Sequence, residues 1–138
     1  RIGMRLAAAR VFVDDLVAAQ AFYGDVLKLK TAWQFEGIAV GYDLGLTLIL
    51  ETVPADADAE DRALVGRFCG LSFEVDDIDA TYAELRARGV EFTGPPTRQD
   101  WDGCRDLAPA DGSVTTLSYN FHGQNSNFNN FPLSKTQP

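Results

Sequence analysis

Hydrophobic and polar positions alternate from Leu6 onward. In "AARVFVDD", Ala9, Val11 and Val13 fall on one face and Ala8, Arg10 and Phe12 on the other, the period of a strand. Asp14 or Asp15 then supplies a cap for a helix over "LVAAQAFYGDVL", by accepting from its first free N–H groups. Leu16, Ala19, Phe22, Tyr23 and Val26 recur at helical spacing and predict one buried stripe. Three strand-like runs follow, "KTAWQFE", "IAVGYD" and "LTLILET", separated by turn signals at Glu36-Gly37 and Asp43-Leu44-Gly45. The first half therefore reads β-α-β-β-β.

The segment "ETVPADADAEDRALVGRF" breaks the alternation. It is acidic, Ala-rich and punctuated by Pro54, and reads as a solvated linker with a helical turn or two after Asp56. The order then repeats: "GLSFEV" alternates, "DDIDATYAELRARGV" is a capped amphipathic helix ending at Gly89, and "VEFTG", "DGCRDLAP" and "SVTTLSY" supply strands. Val13-Asp14-Asp15-Leu16 matches Val75-Asp76-Asp77-Ile78 at a shift of 62 residues, and Gly45 matches Gly112 at 67. A near-constant shift between two similar units is the mark of an internal repeat. The expected class is α+β, with modules over residues 6–52 and 68–119, a linker over 53–67 and one domain over 6–119. Residues 120–138, rich in Asn and Gln, read as a polar tail that is mobile or packs through Phe121, Phe128 and Phe131.

Charge and cysteine content narrow the partners. Twenty acidic residues against twelve basic give a net charge of −8, which disfavours nucleic acid and suits a cationic small ligand or plain solubility. The apolar runs are strand-length, too short to span a bilayer, and the opening "RIGMRLAAARVFV" lacks the apolar core of a signal peptide. Cys69 and Cys104 are too few for a disulfide framework and read as structural thiols in a reducing cytoplasm.

The runs "FVDDLVAAQAFYGDVLKLK" and "LSFEVDDIDATYAELRARGVEF", with the strand–turn–strand "DWDGCRDLAPADGS", resemble the vicinal oxygen chelate superfamily, which includes glyoxalase I, extradiol dioxygenases and bleomycin-resistance proteins. The resemblance covers residues 6–119. It implies two β-α-β-β-β modules rolled into an open, cup-shaped mixed-sheet barrel around a cavity, and a common habit of forming homodimers. Enzymes of this family hold a divalent metal with four residues, whose positions fall here on Ala8, Ile49, Gly70 and Thr116. Three of these side chains offer no lone pair, and a lone threonine hydroxyl is a poor ligand for Zn, Ni or Fe. The single histidine, His122, lies in the tail. Glu51 and Glu74 share the faces of Ile49 and Gly70, so a rearranged carboxylate site is conceivable. The expectation is nonetheless no metal and no cofactor.

A metal-free cavity must work through its walls. The expected lining is Arg10 and Phe12 on the first strand, Trp33, Phe35 and Tyr42 on the next two, and Thr47, Ile49 and Glu51 on the fourth. Ser72 and Glu74 follow on the fifth, with Val114, Thr116 and Ser118 on the last and Trp101 at the rim. Arg10 needs a partner, and Glu51 or Glu74 is the expected one in preference to an anionic ligand. Asp14, Asp15, Asp76 and Asp77 read as helix caps.

Three functions compete. The favoured one is a metal-free protein similar to the bleomycin-resistance branch, sequestering a small organic molecule such as an antibiotic. The acidic charge and aromatics suit a cationic aromatic one, while Arg10 would repel a cation unless neutralised, so the ligand class stays open. A lyase, epimerase or dioxygenase of the same superfamily is the second, through an atypical metal site or a carboxylate acid/base at Glu51 or Glu74. A domain that only mediates assembly is the third, and small inward residues such as Ala8, Gly70 and Ser72 count against its filled barrel.

Overall fold

A computed structural model of the chain describes residues 2–67, 71–90, 92, 95, 97–98, 115–118 and 134–135. The chain divides into two compact units, one holding the described residues up to Arg67 and the other those from Leu71 onward.

The first unit is the predicted β-α-β-β-β. Strand β1 spans Ala8–Val13, helix α1 Leu16–Gln20, and three strands follow: β2 Lys30–Phe35, β3 Ala39–Leu44 and β4 Leu46–Thr52. They form an open four-stranded sheet in the order β1-β4-β3-β2. The first and last strands lie parallel side by side while the others are antiparallel, so the sheet is mixed. Gly37 and Gly45 take left-handed φ angles of 72° and 90° at the two hairpin turns, where a side chain would strain the backbone. Asp43 Oδ1 tightens the second turn by accepting from Gly45 N at 3.1 Å.

Asp15 makes the N-cap of α1, its Oδ1 accepting from Ala18 N at 3.0 Å. The helix does not stay α. From Ala21 to Val26 it widens into a π-helix, with Leu27 N donating to the Phe22 carbonyl at 2.9 Å. The neighbours Phe22 and Tyr23 are both buried there, their rings edge to face at 5.1 Å. Leu16, Ala19, Phe22 and Tyr23 are the buried residues of the predicted stripe, while Val26 is half-buried. The helical segment closes through Lys28, which holds a left-handed φ of 57°.

In the linker, Asp58 caps a single short helix, α2, over Ala59–Arg62. The second unit begins with β5, Ser72–Val75, and α3, Ile78–Ala87, whose cap Asp77 accepts from Ala80 N at 3.0 Å. Asp15 and Asp77 thus repeat one junction at the predicted shift. Helix α3 ends in a Schellman motif: Val90 N donates to the Leu85 carbonyl and Gly89 N to that of Arg86, with Gly89 at φ 91°. Leu85 and Val90 are both buried across this turn, which is why Val90 does not start the strand expected over 90–94. Phe92 is likewise outside a strand, and instead packs on Tyr82 with ring centroids 4.9 Å apart. An i,i+4 ion pair joins Glu84 to Arg88, in the favourable order.

The second sheet departs from the first. It contains β6, Thr97–Arg98, β7, Thr115–Ser118, and β8, Ser134–Lys135, in the order β5-β7-β8-β6. Its opening strand β5 pairs antiparallel with β7, where β1 pairs parallel with β4. Two residues of the expected tail, Ser134 and Lys135, supply β8 and pair with both β7 and β6. Among the described residues the repeat is visible at the strand–helix junctions, while the strand order of the second sheet differs from that of the first. The predicted strand over 102–109 lies outside the described residues.

Candidate functional site

The first sheet has two faces, and its register sorts every side chain between them. On the helix side lie Val11 and Val13 of β1, Leu48 and Leu50 of β4, and Val40 and Tyr42 of β3, all buried. On the other side the pairings align three rows. The first is Ala8–Thr47–Asp43–Lys30, the second Arg10–Ile49–Gly41–Trp33 and the third Phe12–Glu51–Ala39–Phe35. A bulge between Thr31 and Trp33 keeps Lys30 and Trp33 on this same face, with Ala32 as the extra residue.

The open face has a low floor and an aromatic wall. Gly41, Ala39 and Ile49 are buried, while Phe12, Glu51 and Trp33 are half-buried. Arg10 is exposed, and Phe35 is 62% exposed. Trp33 lies directly on Gly41: a Cβ there would meet the indole Nε1 at 2.7 Å and Cζ2 at 2.8 Å. Only glycine lets the ring settle that close to the backbone. Phe35 extends the platform, its ring centroid 5.4 Å from that of Trp33.

Of the sequence-predicted lining, the first sheet brings together Arg10, Phe12, Trp33, Phe35, Ile49 and Glu51. Tyr42 does not join them. It is 1% exposed and sits under the helix, its ring stacked with that of Tyr23 at 6.3 Å and its hydroxyl close to Gly24. Strand alternation sends it to the face opposite Gly41, so it is a core residue. Burial, and then the charge of Asp25, holds the Tyr42 phenol above its ordinary pKa. In the second unit, register sets Ser72 opposite Ser118 and Glu74 opposite Thr116. Glu74 is exposed. Trp101 and Gly70 lie outside the described residues.

The expected ion pair of Arg10 is not formed among the described residues, although Glu51 stands on the adjacent strand of the same face. Gly41 is a further residue of this face, and a glycine inside the strand "AVGYDL" is the sequence signal of such a close approach.

A depression of about 490 Å³ lies elsewhere, lined by Asp14, Asp15, Leu16, Val17, Gly37 and Thr52. It includes none of the predicted lining. Asp15 is already engaged there as the α1 cap.

Residues 5–114 match the family model of the glyoxalase/bleomycin resistance protein/dioxygenase superfamily. The chain belongs to this superfamily. It is 31% identical over 107 residues to the uncharacterized protein YraH of Bacillus subtilis, covering 71% of this chain and 84% of that protein. Among solved structures it is similar to a glyoxalase/bleomycin resistance protein/dioxygenase from Nocardioides, at 25% identity and a TM-score of 0.56, over 73% of this chain and 72% of that one. It also resembles the lactoylglutathione lyase of Agrobacterium tumefaciens in fold, with 20% identity, a TM-score of 0.57 and coverage of 97% and 92%.

Superfamily membership raises the question of a metal. Ala8 and Ile49, which the resemblance sets at the ligand positions of the first module, lie on adjacent strands of the open face and carry a methyl and a sec-butyl group. Among the described residues no three His, Cys, Asp or Glu side chains come together as a metal site. Ala8 and Ile49 do not fit a divalent ion, because neither side chain carries a donor atom. Also among the described residues, no helix is long and apolar enough to cross a membrane.

Proposed function

We propose that this superfamily member binds a small organic molecule on the open face of its first sheet. The observation that carries the reading is the Trp33 indole seated on Gly41 and flanked by Phe35, on the same sheet face as Ile49, Phe12, Glu51 and Arg10. Apolar walls with a few convergent polar groups suit a small-molecule site, and a preformed aromatic platform favours a planar ligand. In its finer form the protein sequesters an aromatic, cation-bearing molecule such as an antibiotic in the cytoplasm, without metal. Glu51 and the net charge of −8 support the cationic part. The lack of donor atoms on Ala8 and Ile49 supports binding without metal. The family resemblance supports an arrangement of two modules, residues 6–52 and 68–119 about the linker 53–67, rolled into a cup. On that arrangement Ser72, Glu74, Trp101, Thr116 and Ser118 complete the lining, and the protein is a homodimer.

The test is a thermal-shift and fluorescence screen of chelator-treated protein carrying Trp101→Phe, so that Trp33 is the sole reporter. The panel contains cationic planar drugs, neutral aromatics and organic anions, with divalent metals in parallel. A metal-independent rise in Tm with quenching by one chemical class is the expected result, and Trp33→Ala should weaken that binding about tenfold. Stabilisation by a divalent metal alone would overturn the reading in favour of an enzyme.

A further inference from the structure

We infer that the open face selects an aromatic zwitterion, a flat ring system carrying both a carboxylate and a protonated amine. This rests on the small-molecule reading above and adds the charge pattern of the ligand.

Arg10 pairs in register with Ile49, and Glu51, two residues further along β4, pairs with Phe12. At a strand spacing of about 4.8 Å and a rise of about 3.3 Å per residue, their Cβ atoms stand roughly 8 Å apart. Both side chains are long enough to meet across that gap, yet among the described residues they form no ion pair. Two opposite charges are thus held on rigid strands above an apolar floor of Ile49 and Phe12, uncommitted to each other. A ligand bearing only a cation would meet Glu51 beside the repelling guanidinium. One bearing only an anion would meet Arg10 beside the repelling carboxylate. A zwitterion satisfies both: its carboxylate accepts from the Arg10 fork and its ammonium donates to Glu51. In the row Arg10–Ile49–Gly41–Trp33 only Ile49 separates Arg10 from the indole that lies on Gly41, so a ring system extending from β1 over β4 would reach the edge of Trp33. Selection works by repulsion of the wrong charge as much as by attraction of the right one.

Calorimetric titration of the full chain tests this with four naphthalene probes: 6-(aminomethyl)-2-naphthoate, its methyl ester, 2-naphthoate and neutral 2-naphthalenemethanol. The zwitterion should bind about tenfold more tightly than the ester or 2-naphthoate, the scale of one charge-assisted hydrogen bond. Arg10→Gln should erase its advantage over the cationic ester, and Glu51→Gln its advantage over 2-naphthoate. That crossed pattern is one a merely unfolded variant cannot produce. Equal affinity for the neutral probe and the zwitterion would overturn the charge inference and leave the small-molecule face standing. If no probe bound, the inference and the reading beneath it would fall together.

Discussion

The two faces of the first sheet share four strands and part company in what covers them. The helix-side face carries Val11, Val13, Val40, Tyr42, Leu48 and Leu50 under Leu16, Ala19, Phe22 and Tyr23, all buried. The open face sets small residues, Ala39 and Gly41, beside aromatics and charged side chains, including Arg10 and Glu51, which form no ion pair among the described residues. Close packing of branched and aromatic side chains stabilises the first face. The second leaves apolar surface unburied, as in the 62% exposure of Phe35. A surface that gives up burial in this way is available to a ligand. The helix side thus holds the densely buried contacts of the unit, and the open side is the face proposed to bind a ligand.

The largest contrast should come from truncating one residue on each face. Leu50, with no exposed surface, should lose about 2–5 kcal/mol of stability on Leu50→Ala, read by urea denaturation. Phe35→Ser should stay within about 0.5 kcal/mol of the parent while abolishing the platform beside Trp33. Comparable losses at both sites would break the division of labour. Gly41→Ala comes next, because the new methyl must displace the indole. It should cost about 1–3 kcal/mol and shift the emission maximum of Trp33 to the red. An unchanged spectrum in a Trp101→Phe background would show that the ring does not rest on that glycine. Smallest is Asp15→Ala, which removes the α1 cap and should cost about 1 kcal/mol. It serves as a control on the helix side: Tm should fall while ligand affinity, measured below the transition, stays put.

Much of the first unit was legible in the chain. The alternation around Val11 and Arg10 assigned those residues to opposite faces, and the caps at Asp15 and Asp77 were readable from the Asp pair before each helical run. Tyr42 was not. Its own strand shows only that it opposes Gly41; which of the two shares a face with Ile49 follows from the pairing of β3 with β4. The seat of Trp33 on Gly41 needed the bulge at Ala32, which no local pattern announces. The parallel-to-antiparallel change between the two sheets was hidden for the same reason. Strand partners are chosen over long sequence separations, and two junctions as alike as Val13-Asp14-Asp15 and Val75-Asp76-Asp77 can feed strands into different neighbours.

By itself, then, the sequence determined the order of elements in the first unit, the helix caps and the residues that alternate together, because those follow from covalent geometry and local hydrogen bonding. It also settled the absence of donor atoms at Ala8 and Ile49, since no fold adds a lone pair to a hydrocarbon. Tertiary structure decided which face the helix would cover, which glycine would lie under the indole, and whether Arg10 would be neutralised by Glu51. Those depend on register and on the competition among neighbours for the same space, and neither is written into any single segment of the chain.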